Sequence, residues 1–557
     1  MRIADAGWGA RVLRFVCLLG TTGGVLLSGA LAGPAGGMER AVSSGPPHQA
    51  QSLPALQEGC PTCHSNPAIL RRGAELYVKP DALAGSAHAQ LGCGACHLAF
   101  SPQGHPAPGG KEAEAARKSC QGCHQDPATE WRSSVHGAAA DGPGCLACHG
   151  NHAVEPVRSG KGRLSLTATC AGCHRSAGRL YYNMTYHGKS LSLGRADSAG
   201  CPDCHRGHGV FASTDPRSAL SSANRLDTCR RCHSGAPPRF AEFRAHPNPL
   251  RPDRPIVLFL ANSAYLLLIP LVFLFSAVHS ILYVTRGARS GLYGHKGGGG
   301  GRVARFNLFH RISHAVVILT FTTLVVTGMP LKYRGAGWAI SAMRAIGGPA
   351  VAGLVHRVAG AALVAVFLAQ IAAALALLFG HTGAEADEGG AFRRAWRRLR
   401  HPDSILPSGR DVADVRTMFR WFLGRGELPR FGRFSYWEKF EYWSMIVGTA
   451  IIGVTGLVMW FPEVVTRVLP GVSINLSLVV HSNEALLAFG VIFIVFHLFN
   501  AHLRPGIYPV DPSIFTGYVP RGEAEEQRPD WVARLDADQP RQISARPADP
   551  PGEGSVR

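Results

Sequence analysis

Charge is scarce in this chain. Of its 557 residues only 17% are Asp, Glu, Lys or Arg, against about a quarter in a soluble domain. That excludes a simple cytosolic enzyme. Acidic residues are the scarcer sign, 37 against 57 Lys and Arg, a formal +20. Cysteine outside one recurring motif is almost absent: of 15 Cys only Cys17 stands alone. No thiols remain for a disulfide-stapled fold. Apolar residues are plentiful, at 46%, and the length calls for several modules rather than one core. The positive balance by itself suits nucleic acid. The apolar runs and the cysteine motifs make a nucleic-acid partner a poor reading.

The other 14 cysteines form seven copies of C-x-x-C-H: Cys60, Cys63 and His64; Cys93, Cys96 and His97; Cys120, Cys123 and His124; Cys145, Cys148 and His149; Cys170, Cys173 and His174; Cys201, Cys204 and His205; Cys229, Cys232 and His233. This is the c-type haem attachment sequence. Two thiols three positions apart can add to the two vinyl groups on one porphyrin edge. The adjacent His then falls under the iron as axial ligand. A zinc knuckle needs four ligands per site and no His after every second Cys. A redox dithiol occurs once, beside a βαβ pattern. Seven covalent c-type haems are expected.

Residues 86–233 repeat with a period of about 50. Each unit has a lone His, a motif, a further His and a second motif. The lone and further histidines are His88 and His105, then His136 and His152, then His187 and His208. The Cys60 motif precedes the units and His246 follows them. With His48, these are eight histidines for seven distal positions. Which serves which iron is left open by the sequence. Bis-His iron has no open position, which favours electron transfer over chemistry on a small substrate. Some 200 residues around seven haems cannot make an ordinary core, so the porphyrins themselves are the expected interior.

Residues 1–32 read as a secretory signal, with Arg11 and Arg14 before an apolar stretch and Ala30-Leu31-Ala32 at its end. Haem attachment happens outside the bacterial cytoplasmic membrane, so 33–250 is expected to be a periplasmic heptahaem domain. Five apolar runs follow, near 256–284, 312–331, 350–379, 443–461 and 474–497. Each is long enough to span about 30 Å of bilayer. The loops 285–306 and 381–439 are rich in Arg and Lys, while 462–473 has only Arg467. The positive-inside rule puts the first two in the cytoplasm, which independently places the haem region in the periplasm. The expected location is the bacterial inner membrane, with a cytoplasmic C-terminus.

Histidines inside spans are functional candidates by default. By depth they form two pairs, His356 with His481 at the periplasmic side and His314 with His497 at the cytoplasmic side. That is the pattern of two b-type haems clamped between helices. His310 and His502 are alternatives for the cytoplasmic site. From 481 to 497 is 16 residues, roughly 24 Å of helix and a turn of about 160°, so the two imidazoles are expected on different sides of it. Nine haems bring up to eighteen propionate charges, close to cancelling +20.

These residues resemble the membrane cytochrome b subunit of formate dehydrogenases and nickel–iron hydrogenases. The resemblance is carried by Arg311-Ile-Ser-His314 with Thr327-Gly328, by Leu354-Val-His356, and by the helix with His481 and His497. It covers about 305–505 and favours His314 over His310; the 256–284 span is extra to the family's four helices. The fusion is similar to the multihaem cytochrome bc quinol oxidoreductases of metal-reducing bacteria. The resemblance implies an all-α membrane bundle, 251–505, joined to a loop-rich, short-helical multihaem cytochrome c domain. It implies a menaquinol dehydrogenase that passes electrons to periplasmic or outer-membrane cytochromes. It also suggests a quinone pocket at Ser435–Lys439. There Glu438 would accept a quinol proton, and Tyr436 and Lys439 would bond a quinone carbonyl. An interfacial anchor is the plainer account of those side chains. Reversed flow, or a conduit with no quinone site, uses the same parts. A reductase with an open haem, often signalled by Lys in place of the motif His, finds no such variant here. Residues 506–557, rich in Pro, Arg, Asp and Glu, read as a disordered cytoplasmic tail, and Gly297–Gly301 as a flexible linker.

Overall fold

The computed structural model describes residues 59–97, 111–252, 255–292, 301–380, 390–508 and 510–538. The expected signal, Cys17, His48, His105 and most of the glycine linker lie outside them.

The motif region is built from single turns. His97, His124, His174 and His233 each donate a backbone N–H to the carbonyl of the first Cys of the same motif, at 2.9 Å. That is the i→i−4 bond of an α-helix. It brings both thiols and the imidazole of a motif to one side of the turn. The lone histidines also sit on capped turns. Ser134 Oγ and Thr185 Oγ1 each accept from the N–H three residues on, of Gly137 and Gly188, at 3.2 Å. This is N-capping, so the recurring Ser/Thr two residues before the lone His starts the turn that carries it. Successive units are laced by backbone bonds. Ala87 N–H donates to the Val154 carbonyl at 2.7 Å, and Val135 N–H to the Val210 carbonyl at 2.9 Å. Each bond joins the lone-His turn of one unit to the segment just after the further His of the next.

Among the described residues the rest of the chain is dominated by five helices long and apolar enough to cross a membrane: Ile256–Arg289, Leu308–Lys332, Gly348–Phe379, Tyr436–Trp460 and Val472–Leu503. Leu267, Leu271 and Leu319 on them are 65–73% exposed, as lipid-facing leucines are. The second packs on the third, the fourth on the fifth, and the first lies along the fifth. The bundle is therefore two antiparallel hairpins plus one flanking helix. The fifth span is α-helical to Leu486, then runs in wider turns from Leu487 to His497. Wider turns advance less per residue. Over ten residues the lag is about half a turn, which moves His481 and His497 towards one side. The uniform helical turn assumed from the sequence does not hold.

The motif region sits on one end of the bundle. Arg244 N–H donates to Asn475 Oδ1, and Asn475 Nδ2 to the Arg244 carbonyl, both at 2.9 Å. His233 Nδ1 lies 3.2 Å from Glu463 Oε1. The opposite end is closed by an aromatic core of Tyr283, Trp421, Phe422, Phe431, Trp437 and Phe496 with their neighbours. The segment 510–538 is folded there, against the expectation of disorder. Tyr518–Pro520 pairs antiparallel with Arg302–Ala304, and Val519, Ala524, Trp531 and Val532 form a small core of their own. Its charges are ion-pair partners rather than solvated runs. Arg528 meets Glu438 at 2.9 Å, Asp530 meets Arg410 at 2.5 Å, and Arg534 meets Asp403 at 2.5 Å.

Candidate haem-ligand pairs and their second contacts

Two imidazoles bound at about 2.0 Å on opposite sides of one metal have ring centroids roughly 6.3 Å apart. Among the described residues eight histidine pairs meet that distance, besides the edge-on contact of His497 with His502. In the motif region they are His88 with His124 (5.9 Å), His97 with His152 (6.1 Å), His136 with His174 (6.1 Å), His149 with His208 (6.0 Å), His187 with His233 (6.1 Å) and His205 with His246 (6.2 Å). In the bundle they are His356 with His481 (6.2 Å) and His314 with His497 (6.4 Å).

The pairing has a rule that spacing alone does not give. A lone His faces the second motif of its own unit. A further His faces the first motif of the preceding unit, which is where the lacing bonds place it. Burial pushes the His187 imidazole down to about 4 and lowers His97, His149, His152, His205 and His246 as well. The neutral ring is the ligating form.

The thiols follow chain order. Cys60 lies beside Cys93, Cys96 beside Cys120, Cys120 beside Cys145, Cys148 beside Cys170, Cys170 beside Cys201 and Cys204 beside Cys229. The seven motifs thus form one file. A cavity of about 3560 Å³ runs along it and into the bundle as far as His356 and His481. Shared among the seven motifs and that pair, it gives roughly 450 Å³ to each, the volume of a single cofactor pocket. Among the described residues no three or more His, Cys, Asp or Glu converge to hold a metal ion, as the zinc alternative requires.

The second ring nitrogen of several of these histidines is already committed. His64 Nδ1 lies 2.7 Å from the Leu76 carbonyl, and His246 Nδ1 3.0 Å from that of Ala177. His356 Nδ1 meets Thr327 Oγ1 at 2.8 Å. His481 Nδ1 meets the Ile452 carbonyl at 3.0 Å and Thr455 Oγ1 at 3.2 Å. His497 Nδ1 meets Glu441 Oε2 at 3.1 Å. Such contacts fix the tautomer and aim the other nitrogen at a metal. The glycine after each threonine leaves room for the ring. A Cβ on Gly328 would stand 3.1 Å from His356 Cε1, and one on Gly456 3.4 Å from His481 Cε1. Thr455-Gly456 thus repeats the role of Thr327-Gly328. The duplicated Thr-Gly dipeptide is legible in the sequence, whereas nothing in the sequence around Glu441 marks it.

His310 bonds Asn307 Oδ1 through its Nδ1 at 2.6 Å and is exposed. His502 lies edge-on to His497 at 6.4 Å, while the ring facing His497 across the bundle is His314.

The expected quinone residues are differently employed. Glu438 caps its own helix through Ser435 N–H at 2.8 Å and Ser435 Oγ at 2.9 Å. It also receives Arg305 at 2.5 Å and Arg528 at 2.9 Å. Both oxygens are taken by donors, so Glu438 is a clamp and not a free proton acceptor. Lys439 is buried against Asp411 at 2.9 Å. Tyr436 is buried with its hydroxyl 2.6 Å from His279 Nε2.

No protein-family model matches the chain, and no curated protein is significantly similar to it.

Proposed function

We propose that the chain is a membrane-bound quinol dehydrogenase of the inner membrane, in which two b-type and seven c-type haems carry electrons singly from menaquinol to a periplasmic or outer-membrane cytochrome. The observation that carries this is the run of eight facing histidine pairs at 5.9–6.4 Å, six of them beside C-x-x-C-H thiols. In this reading His314 with His497 and His356 with His481 hold the b-type groups. His64, His97, His124, His149, His174, His205 and His233 are the proximal ligands of the c-type ones. The pairing rule assigns His105, the further His of the first unit, to His64, and leaves His48 without a site.

The positive-inside argument gives the orientation. The aromatic end of the bundle faces the cytoplasm, and the file of motifs lies in the periplasm. Menaquinol oxidation releases two electrons and two protons. The buried Tyr436–His279 pair, with His279 5.9 Å from Phe496 on the helix that carries His497, replaces Glu438 as the candidate to take a hydroxyl proton. The Cys60 motif ends the file farthest from the Glu463 contact and is the docking end for the acceptor.

The test is anaerobic addition of a menaquinol analogue to the protein in mild detergent, with pyridine haemochrome counting b against c. The reading requires a two-to-seven count and b reduction followed by c reduction, slowed in Tyr436→Phe. Reduction only from a periplasmic donor would replace it with reversed flow. A sample lacking b haem would end it.

A further inference from the structure

The junction between the motif file and the bundle carries cations without counterions. Lys189 lies two residues after His187, Arg357 directly after His356, and Lys332 ends the second span. All three line the cavity together with His187, His233, His356 and His481. Of the carboxylates lining the same cavity near them, Asp197 and Asp203 pair with Arg195 and Arg163, each at 2.9 Å, while Glu463 contacts His233 at 3.2 Å and Glu484 accepts from the Tyr265 hydroxyl at 2.7 Å; none makes an ion pair with the three cations. Lys332 is held by neutral acceptors on the fifth span, the Ser482 carbonyl at 2.9 Å, Ser482 Oγ at 3.0 Å and Asn483 Oδ1 at 3.2 Å. The side chains of Lys189 and Arg357 have no hydrogen-bond or ion-pair partner among the described residues. The two halves meet here as well. The Tyr186 hydroxyl reaches Arg195 at 3.4 Å, and it lies 3.6 Å from where a Cβ on Gly353 would stand.

Unpaired cations facing an apolar cavity are costly unless an anion joins them. Lys189 is within electrostatic reach of Lys332 and of His481, and Arg357 of His356, so cations of both halves of the chain face the space between two histidine pairs. We propose that Lys189, Arg357 and Lys332 form one carboxylate-binding seat, occupied by the propionates of the groups held at His187/His233 and His356/His481. This deepens the reading above and rests on it. Lys189 and Arg357 supply the donors, and Lys332 supplies the field. The seat fixes the His187/His233 site as the partner of the bundle, and it raises the potential of both groups. A nearby positive charge favours the reduced state, so removing one favours the oxidised state.

The experiment is spectroelectrochemical titration of the full chain in neutral detergent, with lipid phosphate washed out, together with haem counting. Lys189→Gln is expected to keep the full count and move one c-type component, and Arg357→Gln one b-type component. Each should move by about tenfold in its oxidised-to-reduced ratio at fixed potential, about 59 mV downward for one electron. Lys189→Arg should restore the wild-type titration. Lys161→Gln, an exposed site paired with Glu155, is the control for net charge. Loss of a b haem in Arg357→Gln, with Arg357→Lys retaining it, also supports the seat. A full haem count with unmoved potentials in both Gln variants overturns the seat and leaves the electron-transfer reading standing. A wild-type protein without b or c haem overturns that reading instead.

Discussion

The two ends of the molecule are held together by opposite means. In the motif region few apolar side chains are buried. Ala128, Tyr182, Leu191, Ala219, Ala236 and Phe240 are the hydrophobic ones among its described residues, spread over nearly 200 positions. Its interior is a cavity lined with thiols and imidazoles. At the far end of the bundle, nine large side chains from Tyr283 to Phe499 close on one another, and arginines bridge the loops to Glu438 and Asp530. The far end supplies its own core, and the motif region needs something placed inside it. Burial of apolar area is the main favourable term in folding, so only one of these two regions has a reason to fold empty.

The hardest test of that contrast is expression without covalent haem attachment. The motif region 59–250 is then expected to be degraded or digested, while the five-helix half stays protease-resistant with its b absorbance. A protected motif region would show that the chain itself supplies the core. Next in size is the removal of single distal ligands. His152→Ala should leave one five-coordinate, high-spin centre on the Cys93–His97 motif, although His152 follows the Cys145 motif in sequence. A signal traced instead to the Cys145 motif, by combining with Cys148→Ser, would break the rule that units exchange ligands. His356→Ala and His497→Ala should each lower the b count from two to one without touching the c count.

At the far end, Glu438→Gln leaves Arg305 and Arg528 buried without their carboxylate. Breaking a buried pair costs roughly 3 kcal/mol or more. The expected result is a lower unfolding temperature and faster cleavage within 510–538, with haem content unchanged. If quinol oxidation were abolished while that segment stayed protected, Glu438 would be acting on protons after all.

The sequence made some of this plain and hid the rest for physical reasons. The C-x-x-C-H turns are local, so their spacing was enough, and so was the order of the five spans. Histidine pairing between units was hidden because it depends on two lacing bonds, Ala87 to Val154 and Val135 to Val210, between main-chain groups that leave no mark on side-chain choice. Residues 510–538 read as solvated because their Arg and Asp look like an unpatterned charge run. Their partners, Glu438, Arg410 and Asp403, lie about 90 to 130 positions away. The side on which His497 leaves its helix depended on the wider turns after Leu486, which no residue there announces.

The smallest expected effect compares the two hairpins with each other. Thr327 and Thr455 hold His356 and His481 from neighbouring helices, yet not equally. His356 and His481 each have a backbone contact, to Leu324 and Ile452, but Thr327 Oγ1 stands 2.8 Å from His356 Nδ1, whereas on His481 Nδ1 the Ile452 carbonyl at 3.0 Å is nearer than Thr455 Oγ1 at 3.2 Å. Loss of such an outer contact costs about 10–100-fold in metal affinity. Thr327→Val should therefore fall within that range for b-haem retention under detergent dilution. Thr455→Val should lose less, because on His481 the carbonyl and not the threonine is the nearer contact. Equal losses would mean that the threonines act by packing. A larger loss in Thr455→Val would mean that the Ile452 carbonyl does not orient His481.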